Sequence, residues 1–223
     1  MSKVPRDTVE IGIRELNSWV GWEKDTENEH VTLYCKKVYK ELSNPSIKFT
    51  GVVNYPLDEV FEVSRNVKYR IHMNETTVEA KWVEEPQQDS EGKSYDVFYT
   101  RLKGPNALVS HRDFIIAREW WYDEANKAWW MIMRSIPYDG PQGKEVSGVI
   151  RGEFVIQAFK FESVNDGKAT KFTIMAQVEY GGWLPSGVIG FFQKKIPLDM
   201  KDKLEAGVIA LKKDRLPPLP NKK

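Results

Sequence analysis

The run from Gly181 to Asp214, GGWLPSGVIGFFQKKIPLDMKDKLEAGVIALKKD, constrains the fold more than any other stretch of the chain. Val188, Ile189, Phe192, Ile196, Met200, Leu204, Val208 and Leu211 recur at steps of one, three or four, which puts them on one broad apolar stripe of a 3.6-period helix. Pro185 suits the first turn, where its missing N–H costs nothing, whereas Pro197 falls inside the run and predicts a kink or break there. Unbroken, the helix over about 185–213 spans roughly 40 Å at 1.5 Å per residue. A stripe of that length has to be buried against something. The rest of the chain reads as the sheet that it covers.

In chain order, Asp7 to Trp19 predicts a short first helix with Asp7 as N-cap. Val31–Tyr39 and Ile47–Tyr55 are β-branched and aromatic, and the turn cluster Ser43-Asn44-Pro45 separates them, which predicts two antiparallel strands. Pro56–Arg65 carries Leu57, Val60, Phe61 and Ser64 at helical spacing behind a proline start. Lys68–Glu84 predicts two short strands turning near Asn74, and polar Glu85–Ser94 a loop. Further strands follow at Tyr95–Leu102, Arg112–Tyr122, Ala128–Ile136, Ser147–Ser163 and Ala169–Tyr180, with a turn at Lys103-Gly104-Pro105-Asn106. Asp123–Lys127 and Asn165-Asp166-Gly167 have hairpin chemistry, whereas Pro137–Val146 is long and rich in Pro and Gly, which fits either a disordered excursion or a functional loop. The architecture expected is α+β: antiparallel strands with one short inserted helix, a first helix and a long last one, in a single domain over 1–223 with a tail at 214–223.

Composition narrows the function classes. A net charge of +1 removes the basic excess of a nucleic-acid binder. From Pro185 onward nine Lys/Arg face four Asp/Glu, so the tail is about +5 and the body about −4; a basic helix with an apolar face is suited to a membrane surface. One cysteine, Cys35, excludes an internal disulfide and fits a reducing compartment. With no secretory or spanning segment in view, the expectation is a cytoplasmic protein.

The search for catalysis is negative. His30, His72 and His111 lack metal-ligand spacing, and Ser110, His111 and Asp113 alternate faces on one strand instead of converging. Strand parity is more informative. Trp129, Met131 and Met133 share one face of their strand, and Phe172, Ile174, Ala176, Val178 and Tyr180 share one face of theirs, which suits either plain core or a deformable apolar cavity. Arg118 and Glu119, inside FIIAREWW, point to opposite faces, so one of them faces the interior; a buried Arg118 needs an anion, a carboxylate or water to answer it, and a snorkelling or edge-strand Arg118 is the alternative.

Ser110–Trp121 (SHRDFIIAREWW), Gly148–Ser163 (GVIRGEFVIQAFKFES) and Val178–Ile189 (VEYGGWLPSGVI) resemble, in order and spacing, the RDF strand, the GVIR strand and the GG-x-(I/L)-P helix entry of StAR-related lipid transfer (START) domains. The similarity covers nearly the whole chain and is greatest to the phosphatidylcholine-carrying members. It implies a helix-grip fold around a tunnel for one lipid, with the last helix and the 137–146 loop as lid. It also implies a non-enzymatic, monomeric carrier of a glycerophospholipid, with no cofactor, no nucleic-acid partner and transient membrane contact through that helix and loop. A sterol or other lipid carrier, or a lipid sensor without net transfer, is the alternative.

The resemblance places the family's buried strand arginine on Arg118, its motif arginine on Arg112, a headgroup glutamine on Gln157 and a choline-cage tryptophan on Trp129. A second cage position, tyrosine in those members, is Val155 here. Arg101 and Lys103 stand where sterol carriers place an internal carboxylate, and a cationic lining favours a phosphate. Met131, Met133, Trp120, Tyr99, Val178 and Tyr180, with Val188 and Phe192 from the helix, complete the expected cavity set.

Overall fold

A computed structural model describes residues 2–42, 44–104, 106, 108–184 and 186–214. The expected turn residues Ser43 and Pro105, the helix start at Pro185 and the tail beyond Asp214 lie outside them.

Helix α1 (Arg6–Asn17) precedes strands β1 (Glu23–Glu27), β2 (Val31–Lys36) and β3 (Ser46–Val53). Helices α2 (Leu57–Arg65) and α3 (Arg70–Met73) lead to β4 (Thr77–Gln88), β5 (Ser94–Leu102), β6 (His111–Asp123) and β7 (Ala128–Ser135). Then come β8 (Val149–Arg151), β9 (Glu153–Val164) and β10 (Ala169–Glu179), and a C-terminal helix in pieces: α4 (Ser186–Gly190), a π turn (Phe191–Lys195), α5 (Ile196–Leu198) and α6 (Met200–Asp214). The strands make one curved sheet in the order β1-β2-β3-β10-β9-β7-β6-β5-β4, antiparallel throughout except that β8 runs parallel to the start of β6.

Alternation along the strands sorts side chains onto two faces, and both are buried. The inner face carries Phe49, Phe114, Met131, Phe161, Phe172 and Ile174, and α2 and α6 cover it with Phe61, Leu204 and Val208. The outer face carries Ala117, Ile132, Ile156, Ala158 and Met175, and Leu16 and Trp22, in and just beyond α1, pack against it. This is the helix-grip arrangement. Gly207 lets α6 come close: a Cβ there would lie 2.9 Å from Met73 and 3.2 Å from Val63.

Several local expectations change. β1 (EKDTE) has no apolar alternation to announce it; it is an exposed edge strand held by pairing with β2. Asp7 is not the N-cap of α1: Pro5 occupies that position, and Asp7 lies in the first turn and accepts from the Thr8 amide at 2.6 Å. Residues 68–84 are not a hairpin. Val67–Tyr69 and α3 form helical turns, Asn74 ends α3, and a single strand, β4, runs on to Gln88, which shortens the loop expected over Glu85–Ser94 to a turn at 89–93. In the C-terminal helix, Pro197 has no N–H to give and its ring crowds the preceding turn. That turn widens to π geometry, with the Ile196 amide bonding Phe191 O, and the helix breaks at Asp199 before α6 resumes.

Candidate functional site

A cavity of about 150 Å³ lies between the inner face of the sheet and the broken helix. Its floor comes from Ile47 and Phe49 of β3, Thr100 and Leu102 of β5, Phe114 of β6, Phe154, Gln157 and Phe159 of β9, and Ala176 and Val178 of β10. Ser64, Arg70, Met73, Asn74 and Thr77 form one wall, and Tyr180, Phe192, Ile196, Pro197, Met200, Lys203 and Leu204 close it from above. The pieces of the C-terminal helix thus supply much of the cover. Among the described lining residues the only charges are Arg70 and Lys203, with no carboxylate and no histidine.

The sheet places its polar centre in one row. Pairing sets Asp96 opposite Arg118, Arg118 opposite Met133, Met133 opposite Gln157 and Gln157 opposite Ala176, so all five point inward. Asp96 and Arg118 are both fully sealed and paired through two hydrogen bonds, Nε to Oδ1 at 2.8 Å and Nη2 to Oδ2. Trp82 Nε1 adds a third donor to Asp96 at 2.9 Å. The charge on Arg118 is therefore answered by a carboxylate of the chain itself. The guanidinium lies 4.4 Å from the Phe98 ring centre, and Arg70 lies against the same ring at 4.7 Å. Two buried polar atoms in this cluster, Arg118 Nη1 and Arg70 Nε, have no hydrogen-bond partner.

Burial, with the charge of Arg118 beside it and Asp96 only partly offsetting both, pushes the Arg70 guanidinium down to about 9. An arginine keeps its proton under ordinary conditions, so Arg70 stays a cation here, with Nε unpartnered. Burial likewise pushes the Lys203 amine down to about 8, with Asp199 and Glu75 opposing and Lys195 adding to the shift; its Nζ donates to Ile196 O at 3.3 Å. Tyr180, half-buried at the top of the cavity, has its phenol raised by burial and then by Glu179.

Of the residues expected from sequence, Gln157, Val178, Tyr180 and Phe192 line the cavity. Arg118 does not: it sits behind the lining, held by Asp96. Met131, Met133 and Trp120 are buried inner-face side chains outside the lining. Val188 packs with Val109 and Phe192 in a small cluster over the mouth. Trp129 stacks on Phe61 at 4.1 Å and 4° and donates to Asp58 at 3.1 Å, so α2 occupies it.

Four further expectations fail for clear reasons. Val155 is the extra residue of a β-bulge: Gln177 pairs Ile156 while Val178 pairs Phe154, which turns Phe154 into the cavity. Tyr99 and Arg101 lie on the outward parity of β5; Tyr99 packs in the outer core and Arg101 pairs with Glu79 at 3.2 Å. An internal carboxylate exists after all, as Asp96, so the cationic lining inferred from Arg101 and Lys103 does not hold. Arg112 faces the end of β10, donating to Ser110 O at 2.6 Å, Tyr180 O at 3.2 Å and Gly181 O at 3.3 Å. It clamps the turn that leads into the C-terminal helix. That turn needs glycine at 181, where φ is +64° and a Cβ would lie 2.7 Å from Arg151 O.

The 137–146 loop contributes nothing to the described lining; Tyr138 packs with the outer core, and it is Val109, from the β5–β6 connection, that meets the helix. The lining cations Arg70 and Lys203 were not anticipated. Arg70 is hidden by the strand reading of its segment, and Lys203 by a charge count that gives the helix's lysines to a membrane surface.

No curated protein matches the chain significantly. Among solved structures, human STARD10 superposes with a TM-score of 0.79 at 20% identity, covering 96% of this chain and 84% of that one. Human StAR-related lipid transfer protein 5 gives 0.77 at 16% identity, with 92% and 95% covered. The human StarD13 (DLC2) lipid transfer and protein localization domain gives 0.69 at 16% identity, with 92% and 98% covered. The sequence itself matches the START domain over residues 15–207, most of its length and all of the cavity, and the chain belongs to that family.

Proposed function

We propose that the protein carries one glycerophospholipid between membranes, without chemistry, in the cavity beneath its C-terminal helix. The observation that carries this reading is a partly enclosed, largely apolar cavity in which the only charges among the described lining residues are two cations, Arg70, whose Nε has no acceptor, and Lys203, which donates to a backbone carbonyl and to no carboxylate. Moving a two-chain lipid through water exposes about thirty methylenes at ~0.8 kcal/mol each, on the order of 25 kcal/mol. An apolar cavity removes most of that barrier. A phosphate is what the polar end lacks: it gives Arg70 Nε an acceptor and a counter-charge, with Gln157 among the same lining residues.

The cavity is smaller than the ~300–1,000 Å³ of typical ligand pockets, so loading requires the cover to move. The π turn and Pro197 give the helix a joint for that movement. Trp183 and Leu108, 83% and 96% exposed and each adjacent in the chain to a member of the cluster around Phe192, Leu184 and Val109, offer apolar points of membrane contact. No helix of the described residues is long and apolar enough to cross a membrane.

A sterol is the second reading, favoured by the internal carboxylate Asp96; it ranks lower because that carboxylate is saturated by Arg118 and Trp82 and does not line the cavity. Native mass spectrometry after incubation with mixed phospholipid–sterol liposomes, together with vesicle-to-vesicle transfer, tests both. A bound phospholipid and measurable transfer are expected. Bound sterol alone, or no bound lipid with flat transfer, overturns the proposal.

A further inference from the structure

We infer that the cavity selects a glycerophospholipid whose headgroup is net negative and carries no ammonium group. The inference rests on the phospholipid reading above and adds the headgroup class to it. A phosphate is common to all such lipids, and the group esterified to it decides. An ammonium group brought in with the phosphate meets Arg70 and Lys203, with Arg118 behind them. The one acid within the cluster, Asp96, is already shared between Arg118 and Trp82. Glu75, Asp199 and Asp202 line an adjoining groove that shares Met73, Asn74, Ile196 and Lys203 with the cavity; none of the three lines the cavity itself, and Asp199 pairs with Lys195.

The other means of holding a quaternary ammonium is a set of open aromatic faces. Here the lining rings are held by neighbouring rings or, in the case of Phe49, packed into the core. Phe114 and Phe154 meet edge to face at 4.8 Å, and Tyr180 and Phe192 stack at 4.6 Å. Trp129 lies flat on Phe61, and the bulge at Val155 leaves an aliphatic residue that does not reach the lining. An uncharged polyol or a bare phosphomonoester meets none of these objections. Asn74, Thr77, Thr100 and Gln157 provide neutral hydrogen-bonding groups for it.

The test uses the delipidated full-length protein and liposomes holding phosphatidate, phosphatidylglycerol, phosphatidylethanolamine and phosphatidylcholine in equal amounts with matched acyl chains. Bound lipid is quantified by mass spectrometry at about 0.1 and about 1 M salt, the latter shrinking the Debye length to ~3 Å and silencing surface attraction. One hydrogen bond to a charged group gained or lost corresponds to about tenfold or more, so the two anionic lipids should exceed the ammonium-bearing pair by at least that factor at both salts. Arg70→Gln should bring the ratio toward one, and Lys203→Gln gives the same reading if the first variant does not fold. Equal binding of phosphatidylcholine, or a preference lost in high salt, overturns the inference and leaves phospholipid carriage standing. Absence of all four lipids overturns both.

Discussion

Arg118 and Asp96 face each other across neighbouring strands, and both side chains are completely closed off from water. Such a pair contributes little as a net favourable term, because desolvation of both ions offsets their attraction, but removing one partner strands the other. Asp96→Asn or Arg118→Leu should each destabilise the protein by about 3–5 kcal/mol. The double variant Asp96→Leu/Arg118→Leu should cost less than the sum of the two. Urea unfolding of the three variants checks this, and simple additivity would contradict it. Loss of lipid uptake in Arg118→Leu alone is therefore not a sign of direct headgroup contact.

Lys203 should make lipid capture and stability respond to pH in opposite directions. Its folded value of about 8 lies below the ordinary 10.5, so between those pH values the unfolded chain holds more protons and folding gains from rising pH. The cation that attracts phosphate is lost over the same rise through about 8. Melting temperature of the lipid-free protein should climb from pH 8 to 10, while uptake of phosphatidate falls. Lys203→Met should flatten both trends relative to the parent. Lys48, also near 8 but under α1 on the outer face, is unchanged in that comparison.

Arg112 ties two carbonyls at the entry to the C-terminal helix, Tyr180 O and Gly181 O, to Ser110 O at the start of its own strand. Arg112→Met should cost about 1–3 kcal/mol through the buried acceptors left unsatisfied. Hydrogen exchange across 181–195 should quicken and bound lipid leave faster. Unchanged exchange there would show that the clamp does not restrain the helix.

Trp183 is almost fully exposed, so Trp183→Ala should leave folding stability within about 0.5 kcal/mol. If the mouth docks on a bilayer, the same change removes ~1.5–3 kcal/mol of apolar burial, about tenfold or more in vesicle affinity. Leu108→Ala should act in the same direction. Vesicle flotation with both variants checks this, and parental affinity in both would place the docking surface elsewhere.

What the residues alone determined is whatever depends on periodicity. The parity of β7 and β10 put Met131, Met133, Ile174 and Val178 on the inner face, and the stripe through Phe192, Met200, Leu204 and Val208 announced the covering helix. Repeats of two and 3.6 are local properties and survive without knowledge of any partner. The polar centre was not local. Asp96 meets Arg118 only because β5 and β6 pair in one register, and Arg70 meets both only because a segment with strand-like composition turns helical before β4. A one-residue bulge at Val155 exchanged an expected cavity position for Phe154. Register, bulges and the approach of a short helical turn are set by packing between elements far apart in sequence, and on them depended which cations face the cavity and which are already neutralised.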